Sequence, residues 1–323
     1  MGIAGAFFAS WHKYYEGVRK EKWRMNVKEA ERLYEQYKKE VCWNYNTEYE
    51  NLLLEVTEFL AEKTNDPWYT SDLGAYYYGK KKFDLAKKYY ERTYELGDRS
   101  IAVCLGYIWY YGRTGVIEYE KAFHYFSEAA ALGDCEGKRK LADMYKNGYW
   151  VKRDYGKYCA IIEELYKEHL DDEYPFQSLP DICVRLAGIR KEAGRFAEAA
   201  ELYRIAKEYL AMRLRYSGFF GDINIMEGLI KDLYAVSEPD YAALDIFDLF
   251  HLLKEPGEVT FRFQKRKYRV SSVIEDGEYA VAFDHHWYRS INDLFQKARL
   301  NGKPLYARYE EIYDVEADRY GAH

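Results

Sequence analysis

A six-position pattern recurs along this chain and restricts its fold more than any other feature. From Leu73 and Gly74, steps of four, thirteen, seventeen and twenty residues after the leucine reach Tyr77, Ala86, Tyr90 and Thr93. From Leu186 and Ala187 the same steps reach Arg190, Ala199, Tyr203 and Ala206. Spacings of three and four put residues on one helix face, so each copy predicts two helices joined by a short turn and touching through these positions.

Two further copies lie between them. One opens with Leu105, Gly106 and Trp109 and continues with Ala122, Phe126 and Ala129. The other opens with Leu141, Ala142 and Tyr145 and continues with Tyr158, Ile162 and Leu165. In both, the second helix arrives four residues later than in the outer copies, while its internal spacing is unchanged. A longer connection costs little closure entropy, so the extra residues belong to the turn. All six prolines fall outside the expected repeat helices, where one would cost about 3 kcal/mol. The tripeptide Leu-Gly-Asp recurs at 96–98 and 132–134 and ends a helix on glycine. Residues 26–64 hold two more amphipathic helix candidates, which form a cap or a degenerate repeat.

The run LGYIWYYG at 105–112, the run from Tyr145 to Lys157 and KAFHYFSEAAALGD at 121–134 resemble Sel-one-like repeats. The outer copies resemble the related tetratricopeptide repeats, and the likeness covers roughly residues 66–214. Trp150 departs from the pattern at the second loop glycine, Tyr158 at an alanine, and Gly79 comes one residue early. The resemblance implies an α-α superhelix used as a protein-interaction adaptor. Stacked hairpins also bury apolar stripes that no single repeat can bury alone.

Beyond Lys254 the period changes from helical to alternating. Val259, Phe261 and Phe263 alternate with polar residues, as do Tyr268 with Val270 and, after the Asp276-Gly277 turn signal, Tyr279, Val281 and Phe283. These predict a three-stranded antiparallel sheet. Ser290 then caps a short helix bearing Ile291, Leu294, Phe295 and Ala298. The fold expected is mainly α, a helical-repeat solenoid with a small C-terminal α+β domain. Its divisions are an N-terminal cap (1–65), the repeats (66–214), two capping helices (215–255) and the α+β domain (256–323).

A formal net charge of −6 disfavours general binding to nucleic acid or anionic membranes. Five cysteines without C-x-x-C pairing read as free thiols. No targeting signal, myristoylation motif or membrane span is expected, so a cytoplasmic place follows. GAYYYGKK at 74–81 approaches a phosphate loop, but Lys81 stands where Ser or Thr would hold magnesium and no strand precedes it. His285 and His286 beside Asp284, and His124 with Glu128, offer imidazole and carboxylate without a third ligand. Lys265, Arg266 and Lys267 form a solvated turn. No catalytic residue, cofactor or metal is therefore expected, and the chain reads as non-enzymatic.

The partner expected is a protein or peptide segment. In tetratricopeptide-type pairs the first helix of each repeat lines the concave groove. That assigns Tyr78, Tyr107, Tyr110, Tyr111, Arg139, Asp143, Lys146, Asn147 and Lys191 to the groove, with the alternative that the tyrosines fill contacts between repeats. Two other functions stay open: a peptide-sensing regulator, and a hydrolase like the cysteine-rich β-lactam-binding branch of this repeat class.

Overall fold

The computed structural model describes residues 26–42, 47–175, 177–216 and 221–317. The apolar stretch GIAGAFFA near the N-terminus lies outside the described residues. The chain forms two compact bodies, Met1–Met144 with Tyr149–Lys152, and Tyr145–Gly148 with Arg153–His323.

In the first body α1 (Val27–Cys42) packs on α2 (Glu50–Thr64), α3 (Pro67–Gly79) on α4 (Phe83–Glu95), and α5 (Ala102–Tyr110) on α6 (Tyr119–Ala131). The helix α7 (Cys135–Asn147) follows. The start of α3 has a local cause: Asp66 accepts from Trp68 N at 2.9 Å while Pro67 opens the helix, where its missing N–H would have no intrahelical partner anyway. The recurring positions of the first two copies are core, whereas Leu141 of the third is half-buried. Leu73, Tyr77, Ala86, Tyr90 and Thr93 are buried, as are Leu105, Trp109, Ala122, Phe126 and Ala129.

The glycines of LGYIWYYG have separate roles. A Cβ on Gly106 would stand 2.5 Å from Phe126 Cε1, so the α5–α6 crossing excludes any side chain there. Gly112 follows the helix with φ +57 and lies under Ile117, a left-handed stop that glycine reaches without strain.

The second body contains α8 (Tyr155–His169), α9 (Leu179–Glu192), α10 (Phe196–Tyr216) and α11 (Asp222–Leu233), packed in that order. Leu186, Ala187, Ala199, Tyr203 and Ala206 are buried, whereas Arg190 is half-buried and pairs with Glu163 at 2.9 Å. The second capping helix expected in 241–254 is much shorter. Asp245 caps a 3-10 turn at Ile246–Asp248, which leads into α12 (Leu249–Leu252), and Pro256 disfavours further helix.

The expected three-stranded sheet has five strands. In order they are β4 (His286–Tyr288), β3 (Glu278–Phe283), β2 (Arg266–Glu275), β1 (Gly257–Phe263) and β7 (Ile312–Ala317), all antiparallel. Its hairpins turn on Gln264-Lys265, Asp276-Gly277 and Asp284-His285, each with both φ values positive, the conformation that matches strand twist. The two added strands carry little local signal, for different reasons: β4 has three residues, and β7 pairs with β1 across nearly the whole domain with a register shift. Val259, Phe261, Phe263, Val270, Val281 and Phe283 make the inner face, and α13 (Ile291–Lys297) contacts β3 and β4. Ser290 accepts from Asp293 N at 3.0 Å and starts α13 as expected. Two short strands, β5 (Arg299–Leu300) and β6 (Lys303–Pro304), form a separate hairpin.

Candidate functional site

Side chains from α3, α5 and α7 meet on one surface of the first body. Tyr78 comes from α3, Tyr107 and Tyr110 from α5, Tyr111 from the residue after it, and Lys140 and Asp143 from α7. Four of the residues assigned to a groove are thus neighbours around Tyr111. Tyr107 stacks on Tyr111 with centroids 5.7 Å apart, and Tyr110 meets it edge-on at 4.9 Å.

The centre of this cluster is a lysine. Lys140 is buried, its Nζ donates to the Tyr111 hydroxyl at 2.8 Å, and it lies 5.1, 5.1 and 5.0 Å from the ring centroids of Tyr107, Tyr110 and Tyr111. Asp143 Oδ2 is 3.8 Å from the same ammonium. Three electron-rich faces and a carboxylate compensate a charge that burial would otherwise penalise. Burial also holds the Tyr110 phenol well above its ordinary range, and the Asp143 carboxylate adds to this.

A second cation lies on the other side of the cluster. The Arg113 guanidinium is 4.8 Å from the Tyr111 ring, 5.2 Å from Phe83 and 5.9 Å from Tyr78, and its Nε donates to the Tyr78 hydroxyl at 3.3 Å. Among the described residues no carboxylate pairs with it. Tyr111 is 44% exposed and Tyr78, Tyr107 and Tyr110 are half-buried, so the rings both contact one another and reach the surface. Arg113 and Lys140 were not singled out from the sequence. Nothing local marks them for this role: one follows Gly112 directly and the other precedes the Leu141-Ala142 pair, positions that do not say which ring they reach.

The remaining expected residues lie differently. Arg139 is buried, with its Nε donating to Glu136 at 2.9 Å. In the second body Lys146 lies 5.0 Å from the Tyr158 ring and 3.9 Å from Glu192, Asn147 is exposed, and Lys191 pairs with Asp232 at 3.1 Å. Trp109 belongs to the core, between the Lys87 and Lys121 ammoniums at 4.3 and 4.0 Å.

The other motifs take structural places. Gly74 lies within α3, where a Cβ would be 2.3 Å from the Tyr90 ring, so GAYYYGKK is helix rather than a phosphate cradle. Asp284 and His285 make a hairpin turn, and His286 Nδ1 is 2.8 Å from the Asp284 carbonyl. His124 and Glu128 approach to 4.0 Å on α6. Among the described residues no group of three metal-ligating side chains gathers, and no helix is long and apolar enough to cross a membrane.

No family model and no curated protein matches the chain. Among solved structures it is similar to a Sel1 repeat protein from Oxalobacter formigenes, with 19% identity and a TM-score of 0.43 over 67% of this chain and 80% of that one. It is also similar to a protective antigen of uropathogenic Escherichia coli strains displaying an SLR fold, with 19% identity and a TM-score of 0.38 over 62% of this chain and 47% of that one. Both are Sel1-type repeat proteins. The residue pattern at 66–214 resembles the same class of repeat.

Proposed function

We propose that this protein is a non-enzymatic helical-repeat adaptor that holds a protein segment against the surface built by α3, α5 and α7. The observation that carries this reading is the pairing of a half-exposed aromatic, Tyr111, with a guanidinium, Arg113, that has no carboxylate among the described residues. Tyrosine and arginine together give an incoming chain ring area, hydroxyls and a planar cation at little cost in side-chain entropy. The segment favoured carries a carboxylate beside an apolar side chain. On the second body, taken by itself, Lys146, Asn147 and Lys191 are proposed as polar contacts for a protein segment.

Site-specific photo-crosslinking from position 111 in the native host tests it. A discrete protein adduct that Arg113→Glu abolishes is the expected result; no adduct, or one indifferent to Arg113, overturns the surface. Turnover of nitrocefin or a simple ester by the purified chain overturns the non-enzymatic reading. The cysteine-stapled hydrolase branch has no parallel in the thiols, since all five cysteines are free.

A further inference from the structure

Among the described residues, the connections after α5 and after α7 each use two left-handed residues, whereas those after α3, α4 and α6 use one. After α5 these are Gly112 and Gly115, with φ +57 and +95. After α7 they are Gly148 and Trp150, with φ +70 and +64. A bulky side chain at positive φ is strained where glycine is not, and a buried ring would offset that strain. Trp150 gains no such compensation: it is 59% exposed, and among the described residues its indole makes no hydrogen bond, ring or cation contact.

Val116 and Ile117, in the preceding connection, are 57% and 54% exposed. The two connections are tied by Tyr119 and Tyr149, whose rings stack in parallel at 4.2 Å. Close to the stacked tyrosines in sequence are two exposed charges of opposite sign, Glu120 after Tyr119 and Lys152 after Tyr149, and neither has a hydrogen-bond or ion-pair partner among the described residues. An apolar centre rimmed by unpaired charges has the anatomy of a protein interface. The Glu118 and Glu120 carboxylates beside Ile117 work against an anionic lipid surface.

We infer that this patch docks on a second copy of the chain, with Trp150, Val116 and Ile117 at the centre and Glu120 of each copy facing Lys152 of the other. A patch carrying one free anion and one free cation is complementary to itself under twofold rotation, the symmetry of most homodimers. So few residues make a weak, concentration-dependent contact. The Tyr110 ring, 5.7 Å from Tyr119 and 6.0 Å from Tyr149, joins this patch to the Tyr111 surface, but Trp150, Glu120 and Lys152 make no ring or charge contact with Tyr111 or Arg113, so different variants test the two proposals.

Sedimentation equilibrium on the full chain, across roughly a hundredfold range of concentration around the micromolar affinities of small interfaces, provides the test. Self-association is expected, at least tenfold weaker in Trp150→Gly. That variant also removes the strained residue, so its thermal midpoint is expected to rise as association falls. A change that merely damaged the fold would lower both. Glu120→Lys and Lys152→Glu singly weaken association, and the double variant restores it. A monomer at every concentration overturns the inference, as does association that Trp150→Gly leaves intact. Trp150-dependent binding to phosphatidylserine vesicles without self-association overturns it in favour of a membrane.

Discussion

The Lys140 ammonium donates to the Tyr111 hydroxyl at 2.8 Å while three tyrosine rings surround it. The tyrosine surface is therefore organised from within: a buried cation on α7 fixes the rings of α5. Removing the hydroxyl with Tyr111→Phe keeps the ring, and Lys140→Met keeps the stem. The charge-assisted bond and ring contacts predict a loss of about 2 kcal/mol for Lys140→Met. In a double-mutant cycle monitored by urea unfolding, the two changes are expected to couple by about 1 kcal/mol. Additive effects would mean that the bond contributes nothing of its own.

Gly106 and Gly188 both interrupt helices, yet alanine is expected to act in opposite directions. At Gly106 the new methyl meets Phe126, which is fully buried and packed against Tyr107 and Tyr110. Overpacking of this kind costs about 1–3 kcal/mol and outweighs the helix-propensity gain of about 1 kcal/mol. At Gly188, inside α9, nothing lies within 4 Å of the added carbon, so the propensity gain stands alone and stability rises by about 0.5–1 kcal/mol. Thermal unfolding of the two variants checks both signs.

Buried thiols set an alkaline limit. Burial pushes the Cys104 thiol up to about 11 and the Cys183 thiol up to about 12. A folded state that holds a thiol protonated keeps its full stability below the ordinary thiol range. That stability is lost as pH rises from about 9 through the folded values, because only the unfolded chain ionises readily there. The urea midpoint is expected to fall above about pH 9. Iodoacetamide should modify exposed Cys42 in the native protein and reach Cys183 only after urea is added. Equal labelling rates would contradict the burial.

Local spacing and long-range convergence differ in what they leave in a sequence. Leu73, Tyr90, Leu105 and Phe126 were legible as core because a helical hairpin imposes fixed intervals on the residues that touch. The β2–β3 hairpin was legible from Asp276-Gly277 for the same local reason. Nothing local announces β7, whose partner β1 lies far back in the chain, or Arg113 and Lys140. These two reach Tyr111 from a loop and from a later helix. The stretch YAALDIFDLFHLLK reads as a full capping helix because its apolar periodicity carries no sign of the Asp245 capping box, which starts a tighter turn at Ile246.

The second body contains a buried ionic knot whose removal has a distinctive pH signature. Lys207 on α10 contacts Asp245 Oδ2 at 2.8 Å and Asp248 Oδ1 at 2.7 Å, and the Tyr234 hydroxyl donates to Asp248 at 2.7 Å. Desolvation raises the Asp245 carboxyl above its ordinary range while Lys207 opposes the shift. With Lys207→Met the buried Asp248 carboxylate and the half-buried Asp245 lose their cation, a loss of about 3 kcal/mol near neutral pH. The Asp245 carboxyl, already raised by desolvation, then rises further above its unfolded value, so the folded state takes up a proton as pH falls toward the ordinary carboxylate range and the penalty shrinks. Adding Asp248→Asn removes one of the stranded charges and recovers part of the loss at neutral pH. Urea titrations of the single and double variants at about pH 5 and about pH 7.5 bracket the range where the carboxylates titrate. A deficit independent of pH would show that Lys207 stabilises by packing its stem rather than by its charge.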